Sequence, residues 1–234
     1  MKKSYVKEAV VIAIGLLLMG DCIGEGLKSV GSQDRKVDVK GLAEREIPAN
    51  KVIWPLMYKN IGNDLLALYG DIKESNTTIL QFLKEKGIDE SEISINAPEI
   101  IDMKAERYSN NVSPYRYNVS TVITVTSKKV DLVRKLISEQ SELLKRGIAI
   151  TSGDYRYNVQ YEFTDLNSIK PQMIEEATCN ARQAAEKFAK DSKSKLGKIR
   201  YANQGQFSIN DRDANTPYIK KVRVVTTVTY SLKH

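Results

Sequence analysis

Apolar residues recur along this chain in two rhythms, and each rhythm marks a different backbone. Residues 51–61 alternate, with Val52, Trp54, Leu56 and Tyr58 on one side, which predicts a half-buried strand. Pro55 inside it cannot donate to a ladder and points to an edge or a bulge. Over 64–86 the spacing changes: Leu65, Leu68, Tyr69, Ile72, Ile79 and Leu83 fall on one helical stripe, and Gly87 supplies a terminator. Alternation returns at 93–105 and again at 115–126, the latter dominated by β-branched residues. Ser127 is placed to cap a helix striped by Val130, Val133, Leu136, Ile137 and Leu144, and Gly147 stops it. A strand is predicted at 155–163, then a long helix at 169–196 preceded by the capping candidates Thr164, Asp165 and Asn167. On that helix Met173, Ile174, Ala177, Ala181, Ala184, Ala185 and Phe188 fill one arc, and the small alanines permit close approach to a sheet or another helix. Two last strands, 198–209 and 218–232, flank the turn-rich 210–217 as a hairpin, and a short strand is predicted at 37–43. The order predicts an α+β fold: a mostly antiparallel sheet with three helices, one of them long and Ala-rich, behind a hydrophobic N-terminal helix.

That N-terminal segment follows neither rhythm. Lys2, Lys3 and Lys7 precede a run of twelve uncharged residues: Ala9, Val10, Val11, Ile12, Ala13, Ile14, Gly15, Leu16, Leu17, Leu18, Met19 and Gly20. A basic start followed by an apolar run is the pattern of export. The run suits the core of a signal peptide and is short for a membrane span. Extended to 6–23 it reaches roughly 27 Å of helix, with Glu8 and Asp21 near its two ends. No A-x-A cleavage site follows, and Cys22 stands where a lipoprotein carries its acylated cysteine, although Asp21 before it fits that signal poorly. The segment reads as a signal peptide or an uncleaved membrane anchor, with the anchor favoured, and the leading lysines place the remainder outside the cytoplasm. The expected organisation is that leader plus a linker over 1–30, and one α+β domain over 34–234.

The pentamer YRYNV occurs twice, at 115–119 and 155–159. Each copy precedes a capped helix, so the pair reads as a strand-then-helix unit used twice. In a strand the tyrosines share one face and Arg116 and Arg156 point to the other, unlike a nucleic-acid platform, where exposed aromatics and bases mingle. The expected use is structural, with Tyr115, Tyr117, Tyr155 and Tyr157 as candidate interface residues.

Composition removes most chemistry. The chain has 234 residues, 41% hydrophobic and 28% charged, with a net charge of +7 spread over solvated faces. One histidine, His234, and two cysteines, Cys22 and Cys179, cannot make a zinc cluster, a Ser-His-Asp triad or a working Cys-His pair. No Gly-rich phosphate loop is present. Neither a catalytic set, a metal nor a cofactor is expected. Cys179 falls on the charged arc of the long helix, which predicts an exposed thiol and a further candidate interface residue. The carboxylates Glu44, Glu46, Asp89, Glu90 and Glu92 read as solvated turn charge.

The segment VDVKGLAEREIPANKVIW at 37–54 resembles the opening of the SIMPL-domain family: a strand, a Gly-x-Ala/Gly-Glu turn, then a Pro-Ala/Asp step into a second strand. The similarity continues through LKEKGI, SEISINAPEI, PYRYNVSTVITVT and the alanine helix ATCNARQAAEKFAKDSKSKLGKI. That resemblance implies an α+β protein of the bacterial periplasm or cell envelope. It also implies relatives of which some build large ring- or channel-like homo-oligomers, suggested links to oxidative-stress tolerance, and no established catalytic residues. The functional expectation is a non-enzymatic envelope protein, tethered to the inner membrane by its N-terminal segment, that self-assembles into a homo-oligomer. The rival is a periplasmic binding module for a small molecule, a peptide or peptidoglycan. Nucleic acid is not an expected partner.

Overall fold

The computed structural model describes residues 6–32, 35–105, 114–151 and 155–233; Lys2, Lys3 and His234 lie outside these ranges. Five α-helices occur among the described residues: α1 (Val6–Ser32), α2 (Leu65–Glu85), α3 (Val130–Glu139), α4 (Ser141–Lys145) and α5 (Leu166–Asp191). This corrects the expected three helices. The second of the three predicted helices breaks at Gln140 into α3 and α4, and the leader is a helix that continues through Ser32, into the stretch read as linker.

The membrane anchor is corrected as well. Among the described residues no helix is long and apolar enough to cross a membrane. The physical reason lies in the charges. The uncharged run 9–20 provides only ~18 Å of helix against a hydrocarbon core of ~30 Å. The longer window 6–23 takes in Lys7, Glu8 and Asp21. The inner-membrane tether and the membrane partner built on that anchor fall with it.

The strands among the described residues are β1 (Lys36–Pro48), β2 (Lys51–Gly62), β3 (Ile93–Ile95), β4 (Glu99–Asp102), β5 (Tyr117–Ser127), β6 (Gln160–Glu162), β7 (Lys195–Gln204), β8 (Ser208–Asp211) and β9 (Ile219–Lys233). They form two sheets, one ordered β1-β9-β7 with β8 also on β9, the other β3-β5-β2-β6 with β4 also on β5. The chain divides into two compact units, one of residues 1–45, 167–208 and 222–234, the other of residues 46–166 and 209–221.

In the first unit α5 packs on the sheet through Met173, Ala177, Ala181, Ala185 and Ala189, all buried and spaced by four residues. Such a row is the i±4 ridge of a helix, and alanine makes it shallow. Beneath it β1 supplies Gly41, where a Cβ would collide with the Ala177 carbonyl oxygen and lie 2.9 Å from the Ala181 Cβ. Glycine is required there by close approach rather than by φ. The Asn180 amide Nδ2 donates to the Leu42 carbonyl at 2.8 Å, and Arg45 reaches Glu176 at 3.2 Å, fastening strand and helix on either side. Val39, Val228 and Tyr230 complete this core. Phe188, expected on the buried arc, lies outside the alanine row and is 60% exposed.

The second unit has the larger apolar core, with Trp54, Leu56, Ile79, Phe82, Leu83, Ile123, Val125 and Leu136 packed together. Its spine is the antiparallel pair β2–β5, in register from Val52↔Ser127 to Gly62↔Tyr117. Pro55 lies opposite Thr124 on β5, while β6 pairs only Lys51, Val52 and Ile53 on the other side. The missing N–H therefore falls where no ladder needs it, although β2 is an inner strand. The expected strand 93–105 is two short ones, since Pro98 interrupts it; β3 and β4 each pair with β5. The Asp64 carboxylate caps α2 by accepting from the Leu66 N–H at 2.9 Å, and Gly87, at φ +89°, ends it.

The β8–β9 connection contains a local acid lock. The Asp213 carboxylate accepts from the backbone N–H groups of Asn215 and Thr216, both at 2.8 Å, from the Thr216 hydroxyl and from Arg212. The Thr216 hydroxyl and then the Arg212 guanidinium hold its pKa down to about 2. A depressed carboxylate contributes stability above its unfolded value, ~3.9, and loses it as pH falls through the folded value. The Asp213 carboxyl carbon is expected to titrate by NMR with a midpoint of about 2. A midpoint near the free value would contradict the lock.

Candidate functional site: a furrow along the second helix

Helix α2 is apolar over a wider arc than the sheet beneath it covers. Leu68, Ile72, Ile79, Phe82 and Leu83 are buried. Leu65, Leu66 and Tyr69 also belong to its apolar side, yet they stand in solvent, Tyr69 being 68% exposed. The cause is the edge of the sheet: β4 is only four residues long and begins just after Pro98. Ile100, opposite Val119 in the ladder, extends the apolar surface of β5 outward and is 56% exposed. Between α2 and this edge lies a hollow of about 460 Å³ lined by Leu65, Leu68, Tyr69, Ile72, Lys73, Asn76, Thr77, Pro98, Ile100 and Val119. A second hollow, of about 440 Å³, continues along the helix from Thr77 to Gly87, Asp89 and Ile93. Thr77 lines both, so the two form one furrow beside α2.

The polar groups of the first hollow are few and fixed. The Tyr58 hydroxyl, on a buried ring, donates to Asn76 Oδ1 at 2.8 Å and lies 3.2 Å from the Ile72 carbonyl. Burial pushes the Tyr58 phenol above its usual range. The Thr77 hydroxyl donates to the Lys73 carbonyl at 2.9 Å. Lys73 is the one charged residue among those lining this hollow, and its ammonium makes no ion pair among the described residues.

The first copy of the pentamer borders this place. Tyr117 opens β5, half-buried, and packs against Leu68, Ile72 and Val119. Tyr115 precedes the strand and is 41% exposed. Arg116 grips Asp102 through Nε at 3.0 Å and Nη2 at 2.9 Å, and its guanidinium carbon lies 5.0 Å from the Tyr117 ring centre, so it does not simply point to the far face. The second copy differs. Tyr155–Tyr157 is a 3-10 turn and β6 starts only at Gln160. Tyr157 is half-buried with Arg156 5.4 Å from its ring centre, and the side chain of Tyr155 lies outside the described ones. Cys179 is exposed on α5 in the other unit, where the Gln183 amide reaches its sulfur at 3.7 Å. Ala9 to Gly20 form the middle of α1 and are exposed. The candidate residues named from sequence are therefore divided between the two units.

Among the described residues no group of three or more His, Cys, Asp or Glu is placed to hold a metal ion. Comparison with protein families matches residues 37–230 to SIMPL, described as a protein of unknown function (DUF541). The chain belongs to the SIMPL family. No curated protein matches it. The SIMPL match spans both compact units, so both are parts of the family's domain and neither is an unrelated addition. Sequence reading named none of the residues that line the furrow as a site. Its one legible signal was the excess of apolar residues at the start of α2, where Leu65, Leu66, Leu68 and Tyr69 fill more of the helix than one sheet face can cover.

Proposed function

We propose that this SIMPL-family chain is a non-enzymatic binding module whose recognition surface is the furrow beside α2. The observation that carries this is the hollow of about 460 Å³ with a largely apolar wall and side-chain polar groups only on α2, those of Tyr69, Lys73, Asn76 and Thr77. Its volume falls in the range of small-molecule sites, roughly 300–1,000 Å³. An environment-sensitive apolar dye is expected to bind the full chain at this surface, and Ile100→Lys, which charges the exposed wall, is expected to abolish the signal without lowering the melting temperature. A dye signal indifferent to Ile100→Lys overturns the reading.

A second reading is self-assembly. In the first unit Leu42 lies between the α5-facing Gly41 and Ala43, so its side chain falls on the opposite face of the sheet, and Tyr201 lies opposite Thr229 on that same side. These residues are 41% and 59% exposed, an apolar pair suited to a second copy of the chain. Tyr115 in the second unit and Cys179 on α5 are also exposed and are candidates for separate contacts between copies. Light scattering on the full chain is expected to give a mass that rises with concentration. A mass fixed at 26.3 kDa throughout overturns self-assembly and leaves the furrow untouched.

A further inference from the structure

The furrow's polar groups restrict what it can hold, and this inference rests on its being a binding site. The Lys73 ammonium brings a positive charge and three donors. The Asn76 oxygen is occupied by the Tyr58 hydroxyl, which leaves its Nδ2 hydrogens as donors, undonated among the described residues. The Thr77 hydrogen is spent on the Lys73 carbonyl. Lys73 and Asn76 are three residues apart on α2, on neighbouring positions of one helix face. The rest of the wall is Leu65, Leu68, Tyr69, Ile72, Pro98, Ile100 and Val119, of which only Tyr69, largely exposed, carries a polar group, its hydroxyl.

A trough with a cation and amide donors on one side and hydrocarbon on the other is complementary to a molecule of the same polarity reversed. We propose that the hollow binds a long-chain carboxylate, with the acyl chain along the apolar wall and the carboxylate at Lys73 and Asn76. A single lysine matches a monoanion, and a carboxylate accepting from an ammonium and an amide makes two charge-assisted hydrogen bonds. An unbranched chain carries no polar group into the trough. A peptide would carry an N–H and a C=O per residue past a wall whose side-chain acceptors are the Thr77 and Tyr69 oxygens and the already occupied Asn76 oxygen, too few to pair each residue, and unmade hydrogen bonds there are costly. That difference favours the acyl chain.

The test is calorimetric titration of the full chain with three probes: dodecanoate below its micellar concentration, its methyl ester, and an end-blocked peptide of leucines and alanines. Dodecanoate is expected to bind roughly tenfold or more tighter than the ester, the size of effect a hydrogen bond to a charged group supplies. Lys73 is exposed, so Lys73→Met leaves the fold intact, and in that variant the preference for acid over ester is expected to fall several-fold. Equal affinity of acid and ester in the parent chain, an unchanged preference in Lys73→Met, or tighter binding of the peptide overturns the carboxylate assignment while leaving the furrow a binding site. Failure of all three probes to bind overturns both.

Discussion

Gly41→Ala is expected to destabilise the protein by ~3 kcal/mol or more, the upper range for forcing a methyl group into a packed site. In a chain of this size that lowers the melting temperature by roughly 6–12 °C. The cause is specific. The added Cβ would overlap the Ala177 carbonyl oxygen and come within 2.5 Å of the Ala181 nitrogen, both backbone atoms that no rotamer change can move aside. Relief requires β1 and α5 to separate, which breaks the contact of Ala177 and Ala181 with the strand and strains the Asn180–Leu42 hydrogen bond. Glycine-to-alanine changes at unstrained sites stabilise by reducing the freedom of the unfolded chain, so the sign itself is informative. Circular dichroism melts of the parent and the variant measure it. A variant that melts within a degree of the parent would show that helix and strand are not in the contact described.

Phe82→Ala is expected to cost ~3–5 kcal/mol, the range for emptying a buried aromatic site. Phe82 is fully buried on α2, in the core that also holds Leu83, Ile123 and Leu136. Its ring lies 5.6 Å from the cationic ends of both Lys86 and Arg146. The Lys86 ammonium in turn reaches Glu139 at 2.9 Å and Glu142 at 3.1 Å, so loss of the ring also loosens the seat of an ion cluster at the end of α2. Those pairs are half-buried at the surface, still reached by solvent, and add little of their own. The cavity dominates. Urea denaturation read by circular dichroism gives the difference, and a loss below ~1 kcal/mol would mean the site collapses around the missing ring.

The sequence was most legible where one residue decides an outcome locally. Asp64 and Gly87 bracket α2 because a carboxylate can accept from the first turn and only glycine sits comfortably at positive φ. Strand phase in β2 and β5 followed from alternation, and the deep burial of Val52, Trp54, Leu56 and Tyr58 agrees with it. It was least legible where neighbours decide. The two YRYNV copies are identical, but the first is followed by STVITVT and the second by QYEFTDL. The first tail continues as β5 along the whole length of β2, whereas the second leaves a three-residue strand after a turn. β preference belongs to the surface a segment joins more than to the pentamer itself. Pro98 carried a visible warning that 93–105 could not be one strand. The break at Gln140 between α3 and α4 had no comparable marker. The furrow was hidden for a related reason: apolar residues on a helix announce burial, and only the shortness of β4 leaves these uncovered.

The chain's single tryptophan, Trp54, is buried in the second unit and absent from the first. Indole emission is therefore a half-molecule thermometer. It brightens or reddens with the fate of the sheet under α2 and is blind to the alanine seam around Gly41. Any gap between that optical trace and a whole-chain trace assigns the order in which the two halves come apart, with no label added.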